Sequence, residues 1–390
     1  MSPLRTALLV VLAVLASPLS GQEAAPLTAL AIRSQRMLDS AIATGSVGSA
    51  VGLIARDGRI LFVGAAGEAA PGVPMPTDAI VRLASITKPV TATAVMLLVE
   101  EGRLKLTDRA DAFVPGFGRM VLGDRPAGED SLIPVARPVT IFDLLTHTSG
   151  VDTDHAEFDP LWTSSATVKE FAEAVGQRAL RFQPGSRFHY GFMGSSYEVL
   201  AGIVEKVSGM SFAAFVHGRI LAPLRMHDTY FHVPEEKRSR LAAQYRMGES
   251  GRLEAFRQRG QEEAPTGFHS GGGGLRSSVA DYFRFVQFLI NGGELDGVRL
   301  LQRETVTEML RDQVGGLSPS YGWGFGVAVE RGPAGGAEAP GNFGWNGGTG
   351  TQFQADPTRR IIAIIFAPST PRSTGVNQLR TAFVRSAFDP

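Results

Sequence analysis

The chain has 390 residues, 44% of them hydrophobic and 19% charged, and its 38 basic residues are matched by 38 acidic ones. That length supports two or three domains with a sizeable core, and the apolar content excludes disorder. Zero net charge leaves no electrostatic footprint for nucleic acid or an anionic membrane. The absence of cysteine excludes thiol nucleophiles, disulfides, cysteine-ligated zinc, iron–sulfur clusters and a lipid-modified cysteine anchor. A neutral, soluble, enzymatic globule is what this composition describes.

One arginine, Arg5, precedes an apolar run from Ala7 to Ala16 and a small-residue exit from Ser17 to Gln22. This is the pattern of a cleaved secretory signal over residues 1–21. The apolar run is about half the length that a bilayer span needs. The expectation is an exported mature protein, periplasmic or secreted, with no membrane span.

Thr28 to Ile42 reads as an amphipathic helix. The apolar runs Ala50–Ala55 and Ile60–Gly64 flank Asp57 and Gly58, a dipeptide that signals a β-hairpin. A second hairpin, Thr351–Ala355 and Ile361–Ala367, turns at Asp356, Pro357 and Thr358, and a final helix covers Val376 to Phe388. Helical patterns fill the middle, at Thr91–Glu101, Ile141–His147, Val168–Val175, Tyr197–Val207, Phe212–Leu221 and Val279–Ile290. Strands at both ends with helices between them predict an α+β fold, its sheet built from both termini around a helical insertion. The stretch Asp111–Val139, rich in proline and glycine, reads as a long surface loop of the kind that serves as a lid.

Chemistry concentrates in three places. Ser85 and Lys88 form a Ser-x-x-Lys pattern, followed by Pro89 and an apolar run. Residues three apart share a helix face, so the amine reaches the hydroxyl. Proline is tolerated only in the first helical turn, which puts the helix start at about Ser85. There the Ser85 N–H has no intrahelical partner, and the positive end of the helix disfavours a charged Lys88 amine. Tyr190, after Pro184 and Gly185, offers a second hydroxyl for base or proton-shuttle work. Phe343 to Thr351 carries Trp345, Asn346, Gly347 and Gly348 beside a strand. Closely spaced glycines let a ligand approach the backbone, and the Gly348 N–H is a candidate oxyanion donor.

Other chemistry finds no support. There is no nucleophile elbow, phosphate loop or His-Glu-x-x-His pair, and the seven histidines show no ligand spacing. No metal or cofactor is expected. His147, at the end of a helix, reads as a structural hydrogen-bonder. Gly271–Gly274 reads as a flexible turn.

These segments together resemble the serine β-lactamase-like superfamily of class C β-lactamases, DD-peptidases and family VIII carboxylesterases. The likeness extends through Thr140–Gly150, Pro184–Tyr190, Val204–Gly209, Leu221–Thr229, Gly271–Leu275 and Tyr321–Gly326 to the Trp345 segment. It implies an antiparallel sheet flanked by helices with an inserted all-helical domain. Residues 22–80 and 268–390 would form the α/β part, and residues 81–267 the helical domain with the active-site helix. It implies Ser85 as acylated nucleophile, Lys88 as its activator, Tyr190 as the second-motif tyrosine, and Ser85 and Gly348 N–H groups as the oxyanion hole. Trp345, Asn346 and Gly347 fall where the superfamily has Lys-Thr-Gly or a variant, a substrate-binding position.

Two departures shape the functional expectation. An ungapped alignment of the following helix puts Phe192 in the tyrosine's place, whereas the Pro-Gly lead-in favours Tyr190. We take Tyr190, because proton transfer needs a hydroxyl. Trp345 supplies no cation for a substrate carboxylate, and family VIII esterases often carry Trp-x-Gly there. Of the basic residues 33 are arginine, so one such as Arg276 is a candidate to replace that cation. The expected activity is hydrolysis of small neutral esters through an acyl-enzyme. The alternatives are a β-lactamase or D-alanyl peptidase acting on carboxylated amides, or a non-catalytic penicilloyl-binding relative.

Overall fold

In a computed structural model, the described residues are 21–123, 133–151, 167–191, 195–256, 268–333, 338–369 and 374–388. All but the last residue of the expected signal segment lies outside them, as does Phe192. Helix α1 spans Gly21–Ala43. Strands β1 (Ser49–Arg56) and β2 (Arg59–Ala70) form the expected hairpin. Asp57 and Gly58 both have positive φ, 51° and 76°, as a type I′ turn demands, and its twist matches that of the paired strands. The edge strand β3 (Val73–Pro74) follows, and then β4 (Val81–Arg82), which pairs outside the main sheet with β5 (Arg276–Ser277).

The last strands are β6 (Gly322–Trp323), β7 (Ala328–Val329), β8 (Phe343–Gly347), β9 (Thr351–Asp356) and β10 (Ile361–Phe366). The main sheet has eight strands in the order β6-β7-β8-β9-β10-β1-β2-β3, every neighbouring pair antiparallel. The first strand thus pairs with the last, Val51 opposite Phe366 through Arg56 opposite Ile361. β10 is apolar and buried throughout, the pattern of a strand covered on both faces. Ile361, Ala363 and Ile365 face one layer with Leu38, Val376 and Phe383. Ile362, Ile364 and Phe366 join the larger core on the other side. The side-chain period of two therefore sorts one strand between two cores.

The inserted helices are α2 (Lys88–Glu100), α3 (Ile141–Leu145), α4 (Val168–Val175), α5 (Ser195–Ser208) and α6 (Phe212–Val216), while α7 (Val279–Ile290) packs on the main sheet. α6 runs on into one π-helical turn at His217–Leu221. The C-terminal helix of the chain is Thr374–Phe388. α2 is buried from Lys88 to Leu98 and packs on α5 and α6, so it is a core helix rather than an amphipathic one. Among the described residues no single helix is long and apolar enough to cross a membrane.

The expected surface loop is corrected over its described parts. Short 3₁₀ turns at Ala110–Ala112 and Pro115–Arg119 bury Val114, Phe117 and Met120, and Val121–Leu122 pairs with Ile133–Pro134. Proline and glycine mark turns that pack here, where a missing periodicity suggested none.

α3 shows how the segment before His147 is held. Thr140 and Asp143 form a reciprocal capping box. The buried Asp143 carboxylate also takes a bidentate pair from Arg137, at 2.6 and 2.8 Å. Asp143→Ala strands these donors and is expected to lower stability by about 2–3 kcal/mol in denaturant titration. A loss below about half a kcal/mol would contradict this role.

Candidate active site

The chain enters the site along β4. Leu83 N–H donates to Leu275 (2.9 Å), and a 3₁₀ turn over Ala84–Thr87 then leads into α2 at Lys88, with Pro89 in its first turn. The helical path thus begins one residue before Ser85, as tight 3₁₀ winding. Ala84 has φ of 48°, a left-handed conformation that costs a residue with a β-carbon on the order of 1 kcal/mol. It reverses the chain just before Ser85, which is partly exposed, and Lys88, which is only 2% exposed.

Threonines from the β8–β9 hairpin secure this bend. Thr349 Oγ1 donates to the Arg82 carbonyl (2.6 Å), and Thr351 Oγ1 to the Leu83 carbonyl (2.7 Å). At Gly347, an added Cβ would stand 2.2 Å from the Leu83 carbonyl oxygen and 3.3 Å from the Ala84 Cβ. The glycine is therefore required for close approach of two backbones. Asn346 is exposed, and Gly348 lies in the turn that this hairpin carries against the Ser85 segment.

The Lys88 amine donates to Ser85 Oγ at 3.1 Å and to the Gly272 carbonyl at 2.9 Å. It also lies 5.2 Å from the ring centre of Tyr190 and 5.8 Å from that of Tyr197. Ser85, Lys88 and Tyr190 are thus brought together. Tyr190 Oη accepts a hydrogen bond from the Trp345 indole at 3.0 Å, which leaves the tyrosine proton to be directed elsewhere. Trp345 packs edge-on against Trp323, with centroids 4.7 Å apart, and also touches Tyr321. Its indole is both an apolar wall and the support of the tyrosine hydroxyl, a second role that spacing did not suggest.

Two expectations are corrected. His147 (φ 54°) is buried, and its Nε2 has no hydrogen-bond partner among the described residues. Its ring packs instead against Tyr190, Tyr197 and Trp323, at 4.8, 5.1 and 5.1 Å between centroids. Burial, then the charges of Lys88 and His189, hold it well below the usual histidine range, so it is neutral. Gly271–Gly274 is also no flexible turn. Its Gly271 N–H donates to Glu198 Oε2 (2.6 Å), its Gly273 N–H to Ser270 Oγ (3.0 Å), and its Gly271 carbonyl accepts from Thr91 Oγ1 (2.6 Å).

Glu198 and Gly272 are the site-lining groups that the sequence reading missed. The signal was available, since Glu198 is the one charged residue in the apolar run Ser195–Val204. Burial pushes its carboxyl up to about 7, against hydrogen bonds from Ser270, Gly272 and Gly271 and the charge of Lys88. Arg276, the candidate carboxylate partner, is buried, and its guanidinium donates to the Phe231 and Gly274 carbonyls.

Fold and site define a serine hydrolase of the Ser-x-x-Lys kind. The family model described as beta-lactamase matches residues 35–384, and the chain belongs to that family. Esterase EstB of Burkholderia gladioli is 31% identical over 367 residues, covering 84% of this chain and 87% of the relative. Protein Rv1367c of Mycobacterium tuberculosis is 33% identical over 323 residues, covering 77% and 80%. The solved structure of EstCE1, titled a hydrolase with promiscuous acyltransferase activity, superposes with a TM-score of 0.78 at 25% identity, covering 93% of this chain and 99% of that one.

Two outcomes follow from this geometry. Gly347→Ala is expected to push the hairpin off the Ser85 bend, costing about 1–3 kcal/mol of stability and at least roughly tenfold in ester turnover. Wild-type turnover in that variant would refute the close-approach argument. Glu198 titrates near 7 in the native state but from 4.5 in an unfolded chain. The native state then holds a proton that the unfolded chain has lost, so this group's contribution to stability falls as pH rises from about 4.5 through 7. Glu198→Gln lacks that titration. Its stability relative to wild type is expected to improve from pH 5 to pH 8 in paired melts, and a constant or opposite trend contradicts the buried-carboxyl reading.

Proposed function

We propose that this chain is an exported carboxylesterase that hydrolyses small neutral esters through an acyl-enzyme on Ser85. Lys88 takes the Ser85 proton as Oγ attacks the ester carbonyl. The N–H groups of Ser85, without an intrahelical partner in the first turn of its helical segment, and of Gly348, in the hairpin turn, hold the tetrahedral oxyanion. Tyr190, supported by Trp345, carries the proton on to the departing alkoxide. Water then attacks the acyl-enzyme by the reverse of these steps and frees the acid. Export rests on the segment from Met1 to Gln22.

The observation that carries the substrate class is the Trp345 indole bonded to Tyr190. An aromatic wall of Tyr190, Tyr321 and Trp345, backed by the buried Trp323, stands where a carboxylated substrate would need a cation. A carboxylate brought there loses water without a charged partner, whereas an acyl or alcohol chain gains apolar contact. The names of EstB and EstCE1, an esterase and a hydrolase, support the same reading.

A substrate panel tests it. Short p-nitrophenyl esters are expected to exceed cephalosporins and D-alanyl peptides by at least roughly tenfold in kcat/KM, from a charge-assisted bond worth about 1.5–3 kcal/mol. Tyr190→Phe is expected to lower ester kcat by about 10²-fold or more. A cephalosporin hydrolysed as fast as p-nitrophenyl butyrate replaces this reading with a β-lactamase. Covalent labelling without turnover of any substrate replaces it with a penicilloyl-binding protein.

A further inference from the structure

Glu198 lies on α5, 1% exposed, immediately before the buried apolar stretch Val199–Val204. An ionisable group in such surroundings is costly unless hydrogen bonds and an opposite charge compensate it. Both of its oxygens accept: Oε1 from Ser270 Oγ at 2.6 Å and Oε2 from the Gly271 N–H at 2.6 Å. The next carbonyl along the turn, Gly272, accepts from the Lys88 amine at 2.9 Å. The preceding carbonyl, Gly271, accepts from Thr91 on the same helix as Lys88. The turn is therefore clamped, its amides toward the α5 carboxylate and its carbonyls toward α2. Close packing makes the clamp stiff, for a Cβ on Gly271 would stand 2.4 Å from the Tyr197 carbonyl oxygen and 2.8 Å from the Ala201 Cβ.

We propose that Glu198 is a positioning residue for the Ser85–Lys88 pair. It holds the Ser270–Gly274 turn so that the Gly272 carbonyl receives the lysine amine, and its negative charge compensates the ammonium that forms there. The inference rests on the reading of Ser85 as nucleophile and Lys88 as base. In the step concerned, the Ser85 O–H bond breaks, its proton passes to Lys88 Nζ, and Oγ bonds to the acyl carbon. Neutral reactants thus become an oxyanion and a buried ammonium. The oxyanion has N–H donors in this scheme; the ammonium has the Gly272 dipole and, one peptide behind it, the Glu198 charge. Preorganised charge beside a developing charge acts strongly in a dry site. The arrangement parallels an acid that stabilises a protonated base from behind, with a peptide group interposed. Lys88 on α2 supplies the charge that faces Glu198, while Ser270, Gly271 and Gly272 face it from the turn.

The test is the rate of Ser85 labelling by a fluorophosphonate, measured from pH 5 to 9 on wild type and Glu198→Gln. The glutamine keeps the side-chain shape and an acceptor for Gly271 but carries no charge. The Gln rate is expected to fall roughly tenfold or more below wild type at pH 8 to 9, where Glu198 carries its charge, and the gap to close toward pH 5, where Glu198 is protonated. A merely structural role would lower the rate by the same factor at every pH, and that result overturns the proposal. So does a Gln profile that superimposes on wild type. Should Glu198→Gln fail to fold, Glu198→Asp retains the charge on a shorter reach. Its rate is expected to stay below wild type by a similar factor at pH 5 and pH 9, since the carboxyl remains and only its reach is lost, and a wild-type rate overturns the proposal. A wild-type adduct on a residue other than Ser85 overturns the underlying reading instead.

Discussion

Everything in this site depends on holding a lysine amine out of water within reach of a serine hydroxyl. Lys88 is buried, and its Nζ has Ser85 Oγ and the Gly272 carbonyl as hydrogen-bond partners. A solvated amine would be free to swing, whereas this one is confined between α2, α5 and the turn after Ser270. The apolar α2 fixes where its base stands, and the backbone carbonyl fixes where its tip points. The energetic cost of burying the amine is offset locally by those two bonds and by the Glu198 carboxyl behind them.

The same constraint explains why so much of the surrounding structure is backbone brought unusually close to backbone. The bend at Ala84 presents Ser85, and the bend persists because Thr349, Thr351 and the β4–β5 pairing hold the carbonyls before it. Gly347 lets the hairpin reach that bend, and Gly271 lets the turn reach α5. The hairpin carrying Trp345 belongs to the main sheet, and Ser85 belongs to the entrance of the helical insertion. The pairing of the first strand with the last is what brings these parts of the chain to one place.

Much of this was legible before any coordinates. The hairpins at Asp57-Gly58 and Asp356, the helix Val279–Ile290 and the Ser85–Lys88 pair all follow from local chemistry: turn residues, periodicity and the tolerance of proline in a first turn. What local chemistry does not encode is which distant groups meet. Glu198 and Gly272 are far from Lys88 in sequence, and the bond from Trp345 to Tyr190 joins residues 155 positions apart. His147 looked like a hydrogen-bonder because histidine usually is one; an aromatic pocket assembled around it from three segments overrides that preference. Gly271–Gly274 looked flexible because glycine is permissive, yet here permissiveness allows tight bonding rather than motion. The loop after Asp111 was misjudged for a related reason, since packed 3₁₀ turns show no helical or strand period.

The central claim is that Ser85, activated by the buried Lys88, carries the acyl group. Its most direct test is intact-protein mass spectrometry of the enzyme quenched in acid during turnover of a slow p-nitrophenyl ester, followed by peptide mapping. The expected result is a single acyl adduct on Ser85, absent from Ser85→Ala and much reduced in Lys88→Ala. An adduct on another residue, or ester turnover that survives in Ser85→Ala, would contradict the claim.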